Sequence, residues 1–188
     1  MPRPAPQIRD AAPQDAAELL QLWTRTAPSA DAAPRALAEA EQALASTAAA
    51  PDDRLLVAEI DGHVVAALQL TRAPLSPLSR ESVVHTSHLM VEPGQRRHGY
   101  GHALMEAAVT WAEEKDVTQV TAITDGDRDT NRFFARLGLV SVASVRHTTT
   151  AALRKHLAAE RRRVSGSNRH LMEVLAQRRS ARRRQTSA

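Results

Sequence analysis

The amino-acid sequence predicts an α/β fold that contains an antiparallel hairpin and a parallel crossover, and two observations carry this prediction. The pair Asp61-Gly62 separates two apolar runs, over residues 55–60 and 64–70, and is typical of a tight antiparallel hairpin. Residues 81–124 then read as strand, long amphipathic helix and strand, an order that requires a parallel crossover. Both antiparallel and parallel strand pairing are therefore expected.

The elements ahead of the hairpin follow from the spacing of apolar residues. After a proline-rich leader, a short strand is predicted around Ile8, and a helix follows whose apolar positions recur near helical spacing: Ala17, Leu20 and either Leu22 or Trp23. A second, alanine-rich helix is predicted over residues 34–46, with Pro34 in its first turn, where a missing N–H has no cost.

The remaining elements follow the crossover. The stretch "DRDTNRFFARLGL", residues 127–139, predicts a shorter helix that ends at Gly138 in a left-handed conformation, and "VSVASVRHTTT" predicts a last strand. From residue 151 onward two arginine-rich helical segments surround "SGSN". We therefore divide the chain into a domain over residues 1–150 and an arginine-rich helical C-terminal extension over residues 151–188.

Composition excludes several classes of protein. The 188 residues fit one domain with a core of Leu, Val and Ala, and neither a signal peptide nor an apolar run of about 18 residues is found. We therefore expect a cytoplasmic protein without membrane association. The absence of cysteine excludes disulfides and a cysteine nucleophile, and the eight histidines are dispersed, so no metal site is expected.

The charge is distributed unevenly. Residues 151–188 carry eleven Lys or Arg and two Glu, a net charge of +9, so the overall +4 leaves −5 on residues 1–150. The basic extension can bind nucleic-acid phosphates, pair with the acidic domain or a second subunit, or form a solvated helix. The apolar residues between its arginines favour the last two interpretations, and a homodimer, over nucleic acid.

A glycine-rich turn precedes the long helix. Three of the seven glycines lie within eight residues: Gly94, Gly99 and Gly101. Such a turn lets a ligand approach the free N–H groups of a helix that begins near Tyr100, whose dipole favours an anion. Arg96 and Arg97 add charged donors. The turn therefore predicts a phosphate or pyrophosphate site, although a basic turn that merely caps a surface helix has the same pattern.

Two other phosphate-binding loops fit less well. A dinucleotide fingerprint needs its third glycine where this chain has Leu104, and "EPGQRR" separates the preceding strand from the turn. A Walker loop needs the sequence G-K-[ST], which does not occur.

The stretch "HLMVEPGQRRHGYGHALMEAAVTWA" resembles the acyl-CoA signature of the GNAT superfamily of N-acetyltransferases. The family's [QR]-x-x-G-x-[GA] loop is matched by Arg96, Gly99 and Gly101, and the similarity extends over about residues 7–145. The resemblance implies a GNAT-like, mixed and mostly antiparallel twisted sheet with a central parallel strand pair, flanked by helices. It also implies acetyl-CoA as co-substrate.

The resemblance further implies which residues bind the co-substrate. Backbone N–H groups of the loop would hold the CoA pyrophosphate: Arg96, Arg97, His98, Gly99, Tyr100, Gly101 and His102. The backbone of the signature strand would pair with the pantetheine arm: Leu89, Met90 and Val91. In the next helix Asp127 replaces the family's Asn. Phe134 replaces the Tyr usually assigned as the acid and is predicted from its position to be among the residues that bind the co-substrate. Asn131 is a further candidate contact for the pantetheine amides.

A base is needed because an amine must lose a proton to attack a thioester. Strand alternation places one set of side chains on one face, His85, Ser87 and Leu89, and the next set on the other, Thr86, His88 and Met90. Counted back from Gly99, His85 lies where several family members carry their base. We therefore predict His85 as the catalytic residue and Glu81 as a secondary candidate. A half-buried structural histidine is the alternative.

The sequence as a whole predicts an N-acetyltransferase that transfers an acetyl group from acetyl-CoA to a primary amine, of a small molecule or a protein, by direct attack. The rival is an acyl-CoA-binding or nucleic-acid-associated module without turnover, favoured by Phe134 and the basic extension. The acceptor depends on residues 73–81 and on those after Val140, which carry no motif.

Overall fold

The structure, a computed structural model, describes residues 6–26, 36–124, 127–143, 146 and 148–161. The chain divides into two compact units, Met1–Val140 and Ser141–Ala188. In the first unit the strands are β1 (Gln7–Asp10), β2 (Asp53–Ile60), β3 (His63–Pro74), β4 (Ser82–Val91) and β5 (Val120–Ala122). The helices are α1 (Ala16–Thr26), α2 (Leu37–Ala49), α3 (Tyr100–Glu114) and α4 (Arg128–Arg136).

The five strands form one sheet in the order β1-β2-β3-β4-β5. The first three pairings are antiparallel, and β4 and β5 are parallel because α3 crosses between them. This arrangement confirms the predicted mixed, mostly antiparallel sheet with a parallel strand pair.

The predicted turn residues adopt the conformations that the turns require. Asp61 and Gly62 have φ of +49° and +81°, the two positive values of the turn that joins β2 to β3. Gly138 has φ of +84° just after α4, and the next N–H, of Leu139, donates to the Phe134 carbonyl at 3.1 Å. Glycine ends α4 as predicted, since a side chain would be strained there.

Apolar side chains cover both faces of the sheet. One cluster lies on the α3 side, and its least exposed members include Leu68, Leu70, Val84, Leu104 and Ala108. The other lies on the α1 and α2 side and includes Leu19, Leu22, Leu44, Val57, Ala67 and Met90. Packing on both faces holds β4 in place as the strand that carries the predicted site residues.

A buried carboxylate holds the entry to α1. Asp15 accepts hydrogen bonds from both terminal nitrogens of Arg9, at 2.6 and 2.9 Å, and from the Ala12 N–H at 2.8 Å. The Arg9 guanidinium holds the pKa of Asp15 below its usual range, and the same bond raises the pKa of Arg9. Arg9 also donates to Glu59 on β2 at 2.7 Å, so the network joins α1 to the sheet.

The predicted last strand is not found in the part of its range that the structure describes. Residues 140–143 have no regular secondary structure, and Val140 and Val142 are 79% and 83% exposed. Their alternation predicted a strand, but both valines are exposed, so neither side chain packs against an apolar surface as a half-buried strand requires. A helix over residues 150–161 forms the first predicted segment of the extension. Pro34 and the second segment lie outside the described residues.

Candidate active site

The glycine-rich turn leads directly into α3. Gly99 is the N-terminal cap of the helix with φ of +86°, and no side chain caps the free N–H groups. The first helical hydrogen bond runs from the Ala103 N–H to the Gly99 carbonyl at 3.0 Å, so the N–H groups of Gly101 and His102 lie ahead of it. The helix therefore begins with backbone donors that an anion can accept.

Two exposed arginines accompany these donors. Arg96 and Arg97 precede the helix, and no carboxylate of the described residues forms an ion pair with either guanidinium. Arg97 has φ of +65°, which turns the chain toward Gly99. His98 is held back against the turn, because its Nδ1 donates to the Gln95 carbonyl at 2.9 Å. The two arginines thus add fixed positive charge beside the backbone donors of the turn.

The two glycines at this turn have different roles. Gly99 is needed for its left-handed backbone, because no atom lies within 4 Å of where a Cβ would be. A Cβ on Gly101 would instead lie 3.3 Å from the Phe133 ring and 3.9 Å from the Leu89 side chain. Gly101 therefore lets α4 pack closely on the start of α3.

Phe133 lies beside the turn, whereas its neighbour Phe134 is buried. The ring of Phe133 meets the His102 ring edge-on, with centroids 5.2 Å apart. Phe134 is only 5% exposed and belongs to the apolar cluster on the α3 side. Asn131 lies in the exposed first turns of α4, where its Oδ1 accepts from the Thr124 hydroxyl at 3.2 Å. Sequence reasoning missed Phe133, since its neighbour matched the family position.

A bulge in β4 changes which side chains share a face. Ala67 pairs with Met90, and Gln69 pairs with Ser87. Between these two pairs β4 has two residues, His88 and Leu89, whereas β3 has one, Leu68. His88 takes up the extra length with φ of +53°.

The predicted alternation along β4 is therefore wrong beyond Ser87. Directly paired residues point to the same face, so His85 and Ser87 lie on the α1 and α2 side with Gln69 and Thr71 of β3. After the bulge, His88 and Met90 lie on that same side, whereas Leu89 packs with the cluster on the α3 side.

The ladder between β4 and β5 is short. Its three pairs end at Thr86 and Ala122, although β4 continues to Val91. The Ile123 N–H donates to the Thr86 carbonyl at 2.8 Å, the last backbone hydrogen bond that the described residues make along this edge. The backbone from Leu89 to Val91 thus lies beyond the ladder, where an extended ligand can pair with it.

His85 is oriented by a residue of β5. Its Nδ1 lies 2.6 Å from Oγ1 of Thr121, its partner in the parallel ladder, and both groups are partly buried. A hydroxyl that accepts from Nδ1–H leaves Nε2 as the nitrogen that can take a proton. Glu81 is exposed just before β4. Sequence reasoning missed Thr121, because only the register of β4 and β5 brings it to His85.

A cavity of about 610 Å³ opens between α1, α2 and the sheet. Its walls include Leu19, Trp23, Ala43 and Leu44, and its floor includes Gln69 and His88. His88 Nδ1 lies 3.1 Å from Gln69 Oε1, and the Trp23 and His88 rings pack with centroids 5.0 Å apart. The cavity thus reaches β4 at the bulge.

Comparison with protein families identifies the class of protein to which this fold and turn belong. A model described as "Acetyltransferase (GNAT) family" matches residues 16–139. This match covers more than half of the chain, which therefore belongs to the acetyltransferase (GNAT) family and is an acyltransferase enzyme. The family uses acetyl-CoA as co-substrate. Comparison with curated proteins gives no significant match.

Solved structures of N-acetyltransferases share the fold. Glucosamine-6-phosphate N-acetyltransferase from Arabidopsis thaliana is 12% identical, with a TM-score of 0.67 over 78% of this chain and 99% of its own. An aminoglycoside 6′-N-acetyltransferase from Acinetobacter haemolyticus is 19% identical, with a TM-score of 0.60 over 77% and 97%. Ribosomal-protein-alanine N-acetyltransferase from Brucella melitensis biovar Abortus 2308 is 17% identical, with a TM-score of 0.61 over 78% and 99%. At these identities the likeness concerns the fold alone.

Two negative findings concern only the residues that the structure describes. No helix there is long and apolar enough to cross a membrane. Nor do three or more His, Asp or Glu side chains of that part of the chain come together in a way that could hold a metal ion.

Proposed function

We propose that this protein transfers an acetyl group from acetyl-CoA to a primary amine by direct attack within a ternary complex. The observation that carries the proposal is the position of the short β4–β5 ladder next to the uncapped start of α3. The free edge of residues 89–91 suits the amides of an extended pantetheine arm, and the N–H groups of Gly101 and His102 suit the pyrophosphate.

The chemistry needs one base and a polarised carbonyl. Nε2 of His85 takes the proton of the amine, while Thr121 holds the other ring nitrogen. The amine nitrogen bonds to the carbonyl carbon, and a backbone N–H of β4 beyond the bulge stabilises the oxyanion. Collapse of the intermediate breaks the C–S bond and releases the CoA thiolate.

The leaving thiolate takes its proton from solvent. Phe134 occupies the family position of the usual acid and lies in the apolar cluster. Its phenyl ring has no proton to donate to the sulfur. A thiolate is a stable enough leaving group for this route, since thiols are far more acidic than alcohols.

The proposal is tested by binding and by turnover. Arg96→Glu reverses a charge beside the donors of α3 and is expected to weaken acetyl-CoA binding, measured by calorimetry, by about tenfold or more. Arg80→Glu makes the same charge change at an exposed arginine just before β4 and should leave the affinity nearly unchanged. Equal affinities of the two variants would contradict the assignment of the CoA site.

Turnover separates the proposal from its rival, a module that binds acyl-CoA or nucleic acid without catalysis. Release of CoA in the presence of a primary amine, with the acetylated amine identified by mass, supports the transferase. Membership of an acetyltransferase family favours this outcome. The homodimer and the cytoplasmic location stay predictions.

A further inference from the structure

We infer that the acceptor is a primary amine carried on a compact, uncharged apolar body, which binds in the cavity between α1, α2 and the sheet. The inference rests on the proposed function and names the class of its acceptor. At about 610 Å³ the cavity has the size of a small-molecule site.

The few charges on the cavity wall disfavour the two small-molecule acceptor types named for the structural neighbours. Of the sixteen described residues that line the cavity, nine are apolar, and the only fixed charges are Arg25 and Glu39. An aminoglycoside carries several ammonium groups and needs several carboxylates, whereas a sugar phosphate needs unpaired cations. Arg25 donates to the Glu92 carboxylate at 3.0 Å, and this neighbouring negative charge opposes a phosphate there.

Most apolar residues of the wall, by contrast, belong to one apolar cluster or pack against it. Leu19 and Leu44 belong to the apolar cluster on this side of the sheet, and Trp23 packs against it. Trp23 also carries the ring contact to His88 at the floor. An apolar body buried here gains about 25 cal/mol for each Å² removed from water, without the desolvation cost of a second charge.

The sheet register connects the cavity to the proposed base. Gln69, on the floor, pairs with Ser87, and His85 lies two residues further along β4 on the same face. At a strand rise of roughly 3.3 Å per residue, His85 is about 7 Å from the floor. A ligand whose apolar body fills the cavity can therefore present its amine to His85 on an arm of two or three atoms.

The experiment is a comparison of acceptors at saturating acetyl-CoA. Phenethylamine and 3-phenylpropylamine, whose arms have two and three carbon atoms, are expected to give kcat/KM at least about 100-fold above those of kanamycin, spermidine and glucosamine 6-phosphate. A preference for any of the last three, or for a peptide N-terminus, would overturn the inference while leaving the transferase intact.

A variant that fills the cavity tests its location. Ala43 lines the cavity from the exposed surface of α2, so Ala43→Phe should raise KM for phenethylamine by about tenfold and leave the KM for acetyl-CoA unchanged. Ala45→Phe places the same ring on α2 outside the cavity and is the matched control. Equal effects of both variants would overturn the inference.

Binding without turnover keeps the two hypotheses distinguishable. Calorimetry with phenethylamine measures occupancy of the cavity whether or not acetylation occurs. Binding that Ala43→Phe weakens and Ala45→Phe does not, without acetylation, would support the apolar amine site and refute the proposed transfer to it. Absence of binding to the wild-type protein, with or without acetyl-CoA, would overturn the inference.

Discussion

Thr121→Val tests whether β5 orients the base. The substitution removes the hydroxyl 2.6 Å from His85 Nδ1 and nearly preserves the shape of the side chain. Without this bond the imidazole can rotate and adopt either tautomer, so fewer molecules present Nε2 to the amine. The bond is short, and a neutral hydrogen bond contributes at most about 1.5 kcal/mol net. Because about 1.4 kcal/mol changes a rate tenfold, we expect kcat/KM to fall by about tenfold.

The assay is the initial rate of CoA release, measured as a function of pH at saturating acetyl-CoA. Two variants control for effects on packing. Thr121→Ser keeps the hydroxyl and should retain most of the rate. Thr86→Val removes a neighbouring buried hydroxyl, which donates to the Thr121 carbonyl at 3.1 Å and does not contact His85, so it should lower stability more than kcat.

The orienting role predicts a change in the pH profile as well as in the rate. If Thr121→Val and Thr86→Val lower kcat/KM by the same factor, Thr121 does not position the base. The same conclusion follows if Thr121→Val keeps both the rate and the pH profile of the wild-type enzyme. Unchanged acetyl-CoA affinity in all three variants, measured by calorimetry, shows that the effects belong to the chemical step.

Three further predictions concern single residues. His85→Ala should lower kcat/KM by about 100-fold or more and leave acetyl-CoA affinity unchanged in calorimetry; a variant with most of its activity would exclude His85 as the base. Gly99→Ala and Gly62→Ala each strain a left-handed backbone, at φ of +86° and +81°. Each should lower the free energy of unfolding, measured by chemical denaturation, by about 1 kcal/mol. Only Gly99→Ala should weaken acetyl-CoA binding. Asp15→Asn breaks a largely buried ion pair and should cost about 3 kcal/mol, a decrease in Tm of roughly 6–12 °C. Because Arg9 lowers the pKa of Asp15, the carboxylate stabilises the fold above about pH 4, and the Tm difference should shrink as the pH falls below that value; a constant difference would contradict this account.

Local signals in the sequence were sufficient for most of the fold. Asp61-Gly62 and Gly138 marked turns because few other residues tolerate positive φ, and the structure confirms both. The amphipathic pattern over residues 100–114 marked α3, and its place between two strands implied the parallel pair. The alternating valines after residue 139 predicted a strand that the described residues do not form. Alternation specifies a strand only when one face of the strand is buried, and these valines are exposed.

The site was harder to predict because it depends on contacts between distant segments. Thr121 reaches His85 only through the register of a parallel ladder, which the sequence does not encode locally. Gly101 matched a family motif, but the reason for glycine there is the ring of Phe133, 32 positions further along the chain. Neither contact leaves a signal in the spacing of residues around the turn.

The bulge at His88 shows how one extra residue arranges the proposed site. Regular alternation from His85 would turn Leu89 toward the α1 and α2 side and Met90 toward α3. The bulge reverses both, so that Met90 and His88 face the cavity while Leu89 packs beside the start of α3. The same extra residue falls where β4 has passed the end of its ladder with β5. The edge proposed for acetyl-CoA and the face proposed for the amine thus meet at this residue. The positive φ of His88 costs on the order of 1 kcal/mol in a residue other than glycine. Such strain is expected where one stretch of backbone forms both the edge for acetyl-CoA and the face for the amine.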